Sequence, residues 1–236
     1  MIFWIIKIFA TTLGETGGDA VSMSMKLGYL VSTGIFGLIF LAAVVIQVRA
    51  KRFHPMIYWV TIVATTTVGT TMADFADRSL HIGYAGGTTI LLILLLSTLF
   101  VWHRTQGSIA VNTVNCTKTE IFYWVTIMFS QTLGTALGDW TADSAGLGYT
   151  GGALIFGGLL AAIAVAHYRT KISKTALFWA AFILTRPLGA VVGDFLDKPI
   201  SHGGLALSRF AASGTLLVLI LFSIVISAPK AARQAH

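Results

Sequence analysis

The sequence is poor in charge, and above all in acidic residues. Only 11% of its 236 residues are charged and nine are acidic, whereas 56% are apolar. Soluble domains carry about 25% charged residues, so this composition excludes both a soluble globular domain and a disordered chain. The single cysteine, Cys116, can form no disulfide within the chain, which excludes a secreted disulfide scaffold.

Long apolar stretches predict an all-α, polytopic membrane protein with eight transmembrane helices. A helix needs about 20 mostly apolar residues to cross a hydrocarbon core of about 30 Å. Stretches of this kind lie approximately at residues 2–18, 27–48, 56–75, 83–103, 121–140, 149–168, 176–195 and 203–227. The odd-numbered spans are the more polar, with threonines at 65–67 and a Ser-Gln-Thr run at 130–132. Because polar atoms inside a membrane need protein partners, we expect the odd spans to form the interior and the even spans to face lipid.

Basic residues are distributed unequally between the two sets of loops and predict the orientation. Ten lie in the loops after even spans or in the C-terminal tail, namely Arg49, Lys51, Arg52, Arg104, Lys118, Arg169, Lys171, Lys174, Lys230 and Arg233. Only Lys26, Arg78 and Lys198 lie in the loops after odd spans. By the positive-inside rule both termini are cytoplasmic, and we expect the protein in the bacterial inner (plasma) membrane. The formal net charge of +7 therefore requires no nucleic-acid partner.

One hairpin motif occurs four times. Each copy has the pattern W-x9-G-x3-[GA]-D, with glycines at positions 14, 69, 134 and 189 and aspartates five residues later. All copies enter from the predicted cytoplasmic side, where their tryptophans are expected to lie at the membrane interface, so they form parallel helical-hairpin repeats. Two pseudo-symmetric halves, 1–106 and 121–228, are joined by a cytoplasmic linker at 107–120 and followed by a tail at 229–236. The G-x3-[GA] part is typical of close helix packing.

Eight of the nine acidic residues belong to these repeats, two in each copy. They are Glu15, Asp19, Asp74, Asp77, Asp139, Asp143, Asp194 and Asp197. The acids of a pair are three or four residues apart and therefore share a helix face. The motif aspartates follow the tryptophans by 15 residues, roughly 22 Å along a helix, a depth at which carboxylates face a protein interior or a cavity. All eight are candidate metal ligands, since converging carboxylates repel one another unless cations or protons lie among them.

Neighbouring polar residues are placed to complete such a site. Further oxygen ligands are predicted from Thr12, Thr67, Gln131 and Thr132, and buried counter-charges from Arg186 and Arg209. Oxygen ligands suit a hard divalent cation such as Mn²⁺, Mg²⁺ or Ca²⁺. Lys7 is expected to extend its ammonium group to the membrane surface, and His81 and His202 are alternative peripheral ligands in outer loops.

Two other interpretations of the acids stay open. Asp77, Asp143 and Asp197 are equally consistent with solvated helix ends. The four motif aspartates are also consistent with structural bridges between repeats, through hydroxyl groups or Arg186. Glu15 differs from its counterparts in the other copies, which are two threonines and an alanine, and this makes it the best candidate for a proton- or ion-coupling group.

Three blocks carry the repeated motif most clearly. They are Gly14-Glu15-Thr16-Gly17-Gly18-Asp19, Gly134-Thr135-Ala136-Leu137-Gly138-Asp139, and the segment from Arg186-Pro187-Leu188-Gly189 to Gly193-Asp194. With these blocks the chain resembles, over essentially its whole length, a family of bacterial membrane-anchored proteins built from a repeat of unknown function. That resemblance implies architecture rather than activity. The run from Glu15 to Asp19 is also similar to the Glu-x-Gly-Asp signature of manganese/calcium–proton exchangers, although one extra residue separates its acids and copies two to four lack the glutamate. This second similarity implies a cation substrate.

These features together predict a membrane transporter of a hard cation, most consistently a proton-coupled exporter of Mn²⁺ or a similar divalent ion. The expected partners are the lipid bilayer, the cation and protons, with a homodimer as a further expectation and no organic cofactor. Two alternatives stay open: a structural or sensing membrane protein whose acids form salt bridges, and an exporter of organic cations. We do not expect an enzyme, because the sequence contains no HExxH, GxSxG, CxxC or Gly-x-Gly-Asp motif.

Overall fold

Eight long helices account for most of the residues that the structure describes. It is a computed structural model and describes residues 2–50, 54–114 and 116–234, with side chains described as far as residue 226. The helices are α1 (Ile2–Asp19), α2 (Tyr29–Arg49), α3 (Pro55–Asp74), α4 (Tyr84–Gln106), α5 (Thr117–Asp139), α6 (Gly148–Arg169), α7 (Lys174–Asp197) and α8 (Arg209–Gln234). The predicted all-α architecture is confirmed. Among the basic residues used to predict orientation, Lys51, Arg52 and the side chains of Lys230 and Arg233 lie outside this description.

The odd-numbered helices form a closed ring, and the even-numbered helices surround it. Around the ring α1 packs against α3, α3 against α5, α5 against α7, and α7 against α1 again. Each even helix lies on the outside of one ring helix: α2 on α3, α4 on α5, α6 on α7 and α8 on α1. The repeats are therefore related by a pseudo-fourfold axis that runs through the ring.

Burial separates the two sets of helices. In their most apolar stretches, 72% of α3 and 61% of α7 are buried, whereas the four even helices are only 11% to 22% buried. An apolar surface of this kind is stable only where lipid or protein covers it. The predicted arrangement, with odd helices inside and even helices outside, is confirmed.

Six of the eight helices are long and apolar enough to cross a membrane, namely α2, α3, α4, α6, α7 and α8. By helix length and hydropathy the chain is a multi-pass membrane protein. The helices α1 and α5 are less apolar because they carry buried polar residues, among them Lys7, Glu15 and Asp19 on α1. Their membrane crossing follows from the repeat, in which they occupy the same ring positions as α3 and α7, and it stays a prediction.

Local sequence signals set several helix boundaries. Pro55 is the first residue of α3, a position where the missing N–H costs no helical hydrogen bond. Ser173 caps α7 by accepting a hydrogen bond from the backbone N–H of Ala176. Gly28 and Gly83 precede α2 and α4 with φ angles of 76° and 75°, a conformation that favours glycine. The first two hairpins therefore turn at equivalent points.

The last hairpin turns differently. Its outer helix begins at Arg209 and not near residue 203, because residues 199–208 fold back onto the end of α7. The N–H groups of Leu205 and Leu207 donate hydrogen bonds of 2.7 and 2.9 Å to the carbonyls of Phe195 and Leu196. This loop holds the outer end of the fourth repeat against the ring.

The predicted linker between the halves is shorter in the structure. The helix α5 already begins at Thr117, inside the predicted linker 107–120, and a short 3-10 turn at Val111–Thr113 precedes it. At the other end of the chain, α8 continues to Gln234, beyond the predicted start of the tail at residue 229. The division into two halves stays a prediction.

Aromatic side chains close the end of the ring at which the motif tryptophans lie. Trp59, Trp124 and Trp179 are only 7%, 3% and 3% exposed, and the ring centroids of Tyr58 and Trp124 lie 6.0 Å apart. The linker covers this cluster, since the Trp179 indole N–H donates a 2.9 Å hydrogen bond to the carbonyl of Ile109. Trp59, Trp124 and Trp179 pack inside the protein at this end of the ring, and their position at the membrane interface stays a prediction. We call this cluster the aromatic end.

Three ring helices continue into a π-helical turn directly after the motif aspartate. These turns are Ala20–Ser24, Phe75–Ser79 and Trp140–Ser144. The N–H groups of Met25, Leu80 and Ala145 each donate to the carbonyl five residues earlier, at 2.9, 3.0 and 2.8 Å. Such wider turns change which residues share a face with the aspartate, and they are frequent at functional sites.

Candidate functional site

The motif glycines bring neighbouring ring helices into direct contact. Each touches the same repeat position of the next helix, in the pairs Gly14–Thr66, Gly69–Gln131, Gly134–Arg186 and Gly189–Thr11. A Cβ atom on Gly14 would lie 2.2 Å from Oγ1 of Thr66, and one on Gly189 would lie 2.2 Å from Oγ1 of Thr11. Both threonine hydroxyls also donate 3.2 Å hydrogen bonds to backbone carbonyls of the adjacent ring helix. The glycines are therefore packing residues, as the sequence predicts.

Residues four apart on the ring helices form four buried layers stacked along the axis. The lysine layer is Lys7, Ile62, Ile127 and Phe182; the threonine layer is Thr11, Thr66, Gln131 and Arg186; the glutamate layer is Glu15, Thr70, Thr135 and Ala190; the aspartate layer is Asp19, Asp74, Asp139 and Asp194. No member is more than 3% exposed. A spacing of four residues keeps side chains on one face of a helix, here the face toward the ring interior.

In the glutamate layer, Arg186 reaches from α7 to all three of the other ring helices. Its Nη2 atom lies 3.0 Å from Oε2 of Glu15 and donates a 2.6 Å hydrogen bond to the Thr70 hydroxyl. The same atom makes a short hydrogen bond to the Thr135 hydroxyl. These acceptors belong to α1, α3 and α5, so the guanidinium group lies at the centre of the ring.

Two basic residues hold the aspartate layer together. Arg78 lies 3.1 Å from Oδ1 of Asp74 and 3.3 Å from Oδ2 of Asp139, and thereby links α3 to α5. Lys198, directly after α7, pairs with Asp19 and lies 3.1 Å from Oδ1 of Asp194, linking α7 to α1. Burial opposes the charge on Lys198, but the carboxylates of Asp194, Asp19 and Asp197 together outweigh it and raise its pKa.

Arg209, the first residue of α8, extends this network at the outer edge. Its Nε atom lies 3.0 Å from Oδ2 of Asp197 and 3.8 Å from Oδ2 of Asp19. Its Nη1 atom donates a 3.2 Å hydrogen bond to the Ser24 hydroxyl. The fourth repeat therefore supplies both bases that face Asp19.

Two groups of carboxylates converge closely enough to hold a metal ion. One oxygen each from Glu15, Asp139 and Asp194 lie within 4.8 Å of one another, as do oxygens of Asp19, Asp194 and Asp197. Ligand oxygens on opposite sides of a Ca²⁺ or Mn²⁺ ion, at about 2.4 Å each, are separated by up to about 4.8 Å. Three ring helices contribute to the first group and two to the second, with Asp194 in both.

The repeat is recognised by comparison with known families. A family model described as Repeat of Unknown Function (DUF347) matches four segments of the chain: residues 2–53, 57–108, 122–173 and 177–228. The chain belongs to the DUF347 family. Each matched segment covers one ring helix and the outer helix that follows it, so one DUF347 repeat is one hairpin of the pseudo-fourfold structure. No match was found among curated proteins, and none among solved structures. The likeness to manganese/calcium–proton exchangers stays a resemblance of one short run.

The second acids of the last three DUF347 repeats lie in different surroundings. Asp197 is buried and paired with Arg209, while Asp77 is 8% exposed and has Oδ1 in contact with Gly87. Asp143 is exposed, and Tyr84 donates a 3.5 Å hydrogen bond to it. Because the layers end before Asp143, the structure does not bring this residue into either carboxylate group.

The hydroxyl groups of the predicted supporting threonines form hydrogen bonds within their own helices. The hydroxyls of Thr12, Thr67 and Thr132 donate to carbonyls four residues earlier, at 2.9, 2.8 and 3.0 Å. The alternative ligands His81 and His202 are exposed in their loops. A ligand role for any of these residues stays a prediction.

The predicted extension of Lys7 to the membrane surface is wrong. The side chain is 0% exposed, and its ammonium group lies 3.9 Å from the ring centroid of Phe182 on α7. An aromatic face attracts a cation electrostatically and stabilises it away from water. Since Phe182 belongs to another repeat, nothing near Lys7 in the sequence indicates this contact.

The roles of Arg78 and Lys198 were missed, although the sequence contains a signal for both. Each follows the motif aspartate of its DUF347 repeat by four residues, the spacing of a helical ion pair. The prediction placed them in outer loops, and in the structure each also reaches a carboxylate on a neighbouring ring helix.

Proposed function

We propose that this DUF347 protein binds a hard divalent cation among its buried carboxylates and exports it in exchange for protons. The excess of buried acids over bases carries the proposal. Seven acids of the repeats are buried, whereas four bases, Arg78, Arg186, Lys198 and Arg209, pair with them. Counting Lys7, two layers away, as a fifth base still leaves two negative charges. Uncompensated charge in a membrane interior is costly, and one divalent ion or two protons would balance it.

The ligand chemistry supports a hard ion. The two converging groups offer only carboxylate oxygens, and threonine hydroxyls of the glutamate layer lie beside them. Mn²⁺, Mg²⁺ and Ca²⁺ prefer such ligands, whereas soft metals select thiolate or imidazole. An ion bound by Glu15, Asp139 and Asp194 would take Glu15 from Arg186 and Asp194 from Lys198. Ion binding would therefore be coupled to a rearrangement of the charges that join the ring helices.

Exchange against protons follows from the same carboxylates. When the ion leaves, the acids again exceed the bases, and protonation restores neutrality. In the predicted orientation the aspartate layer lies near the outside and the aromatic end near the cytoplasm, so a bound ion is released outward. This assigns the acids to ion binding and not to catalysis.

A second candidate function is structural, and the ion pairs favour it. Arg78 joins α3 to α5 and Lys198 joins α7 to α1, each through carboxylates of two helices. If these bridges are permanent, the acids stabilise the ring and transport no ion. The protein would then have a structural or sensing role.

Flux in proteoliposomes tests the transport proposal. The full chain is reconstituted with a pH gradient, and movement of Mn²⁺, Mg²⁺, Ca²⁺ and a quaternary ammonium dye is followed. We expect Mn²⁺-driven proton movement that is lost in Asp139→Asn and Asp194→Asn and retained in Glu120→Gln, which removes an acid outside the layers. Wild-type flux of every cation in both aspartate variants would overturn the proposal, and flux of the dye alone would replace the metal by an organic cation.

Thermal unfolding separates the two candidates directly. A bound ion stabilises the folded state by RT ln(1 + [L]/Kd), so Mn²⁺ should raise the Tm of the purified protein in a saturable way. The increase should be absent in Asp194→Asn. A Tm that does not respond to any divalent ion, together with a large loss of stability in Asp194→Asn, supports the structural role.

A further inference from the structure

We infer that the ring also binds a small monovalent anion, held between the lysine and threonine layers by Lys7, Gln131 and Arg186. This second site lies on the aromatic-end side of the Arg186–Glu15 pair, whereas the carboxylate groups lie on the opposite side. None of its three residues is a carboxylate, and Arg186 is the residue that connects it, through Glu15, to the carboxylate groups.

The three residues belong to three ring helices and occupy two adjacent layers. The Lys7 ammonium of α1 lies over Phe182, which is four residues before Arg186 on α7 and therefore one turn away on the same face. Four residues of α-helix rise about 6 Å, which separates the backbone positions of Phe182 and Arg186 along the axis, and the Arg186 Nη2 atom extends from there to the glutamate layer. Gln131 on α5 occupies the repeat position of Arg186, and Gly134 of its helix packs directly on the Arg186 side chain.

All three residues are fully buried and have polar atoms that find no hydrogen-bond partner in the described part of the chain. These atoms are the Lys7 Nζ, the Arg186 Nε and Nη1, and both amide atoms of Gln131. Arg186 uses only Nη2 for Glu15 and the two threonines, so its other N–H groups remain available. Buried donors almost always have a partner, because an unpaired one costs about 1–3 kcal/mol.

The charges of these side chains, like their unpaired donors, indicate a bound anion. Arg186, and Lys7 in its protonated form, bring positive charge into the middle of the bundle, and Glu15 is the only acid that contacts either of them in the described structure. An anion held beside Lys7 would therefore stabilise its protonated form. A single acceptor of charge −1, with N–H donors on three sides, meets this requirement.

The surrounding side chains define the class of anion. The site is enclosed by Ile62, Ile127 and Phe182 of the lysine layer, all 0% exposed. These apolar walls favour a small and weakly hydrated anion over phosphate or sulfate, which carry more charge and need more donors. Chloride is the simplest anion with these properties, and we choose it as the probe.

The experiment measures chloride binding to the purified full-length protein in detergent, with EDTA present so that no divalent ion contributes. Equilibrium dialysis with radioactive chloride gives the stoichiometry, and Tm is compared in sodium chloride and sodium gluconate at equal ionic strength. We expect saturable binding of one chloride per chain and a higher Tm in chloride. Because EDTA removes the divalent ion, failure of the cation proposal leaves this result unaffected.

Three variants identify the site. Lys7→Met should abolish chloride binding and its effect on Tm, whereas Lys174→Met, at an exposed lysine on the first turn of α7, should leave both unchanged. Gln131→Glu places a carboxylate of nearly the same shape where the anion would lie. We expect this variant to fold, to bind no chloride and to have the same Tm in both salts.

Two results would overturn the inference. One is a wild-type protein that binds no chloride and unfolds at the same temperature in chloride and gluconate. The other is chloride binding in Gln131→Glu equal to that of the wild type. If Lys7→Met does not fold, Gln131→Glu alone decides, since it retains the volume and polarity of the side chain.

Discussion

Arg186 lies 3.0 Å from Glu15, and through this contact the fourth repeat meets the first at the centre of the ring. The two residues are 0% and 2% exposed. Both depart from the repeat: the residues aligned with Glu15 are Thr70, Thr135 and Ala190, and those aligned with Arg186 are Thr11, Thr66 and Gln131. The fourfold pattern is therefore broken twice, by opposite charges that face each other.

Removing either partner of this pair should destabilise the protein strongly. A buried charge that loses its partner costs about 3–5 kcal/mol, so Glu15→Gln and Arg186→Gln should each lower the free energy of unfolding by about that amount. The double variant should lose less than the sum of the two, because neither charge is then left alone. Unfolding of the single and double variants in mixed detergent micelles measures this coupling, and additive losses would show that the pair does not form.

A methyl group on a motif glycine should push two ring helices apart. In Gly14→Ala the new Cβ would lie 2.2 Å from Oγ1 and 3.0 Å from the backbone carbon of Thr66, so the helices must move. Overpacking of this kind costs about 1–3 kcal/mol. The matched control is Gly34→Ala on α2, where a Cβ meets no atom within 4 Å and helix propensity favours alanine by up to about 1 kcal/mol. Thermal unfolding should give the highest Tm for Gly34→Ala, an intermediate Tm for the wild type and the lowest Tm for Gly14→Ala. Equal Tm values for the two variants would contradict the packing role.

The variant Arg78→Met distinguishes a cation-binding site from a purely structural network of salt bridges. The change removes the base shared by Asp74 and Asp139 and so increases the negative charge of the aspartate layer. A unit charge near 4 Å is worth about 4 kcal/mol at an effective dielectric constant of about 20, so Mn²⁺ should bind at least about tenfold more tightly. Isothermal titration measures the affinity, with Arg104→Met, at an exposed residue of α4, as control. A variant that is destabilised and not rescued by Mn²⁺ would favour the structural network.

Cys116 offers a test of the orientation. It is exposed, just before α5, and its Sγ lies 3.4 Å from the Thr119 hydroxyl. Hydrogen bonds from Thr119 lower the pKa of this thiol, so its thiolate persists to lower pH than that of an ordinary cysteine. A membrane-impermeant maleimide should label Cys116 in inside-out vesicles and not in right-side-out ones. In Cys116→Ser combined with Lys26→Cys the pattern should reverse, and identical labelling from both sides would refute the predicted topology.

The same thiol gives a pH test of the local geometry. Below the ordinary thiol pKa, Thr119→Val should slow maleimide labelling of Cys116, because loss of the hydrogen bond from the Thr119 hydroxyl raises the thiol pKa and reduces the thiolate fraction. Above that pKa the rates should converge. Labelling rates measured across the pH range check this, and a rate difference that persists at high pH would point to altered access rather than altered ionisation.

The repeat and the convergence of its acids follow from the sequence because they depend on spacing alone. A motif that recurs with its glycine and aspartate in register must place them at equivalent points of equivalent helices. The polar odd spans likewise indicate which helices lie inside. Every layer of the ring can be written down from the sequence once the four copies are aligned.

Contacts between repeats could not be predicted in this way. The burial of Lys7 depends on Phe182, and the second partner of Arg78 is Asp139, 61 residues away. The π-helical turns after three aspartates carry no sequence signature that separates them from an ordinary helix end. The fold-back of residues 199–208, which positions Lys198 and Arg209, depends on tertiary hydrogen bonds to α7.

The closure of the ring has a consequence for how the protein is made. During synthesis α1, which carries Lys7, Glu15 and Asp19, emerges before α7, and Arg186 follows its partner Glu15 by 171 residues. At about 5–20 residues per second, roughly 10–30 s pass before that partner is synthesised. A ribosome-bound chain therefore carries an incomplete first helix until the fourth repeat arrives. The ring therefore closes only once α7 is present, and a product truncated before α7 would leave Glu15 without its buried partner.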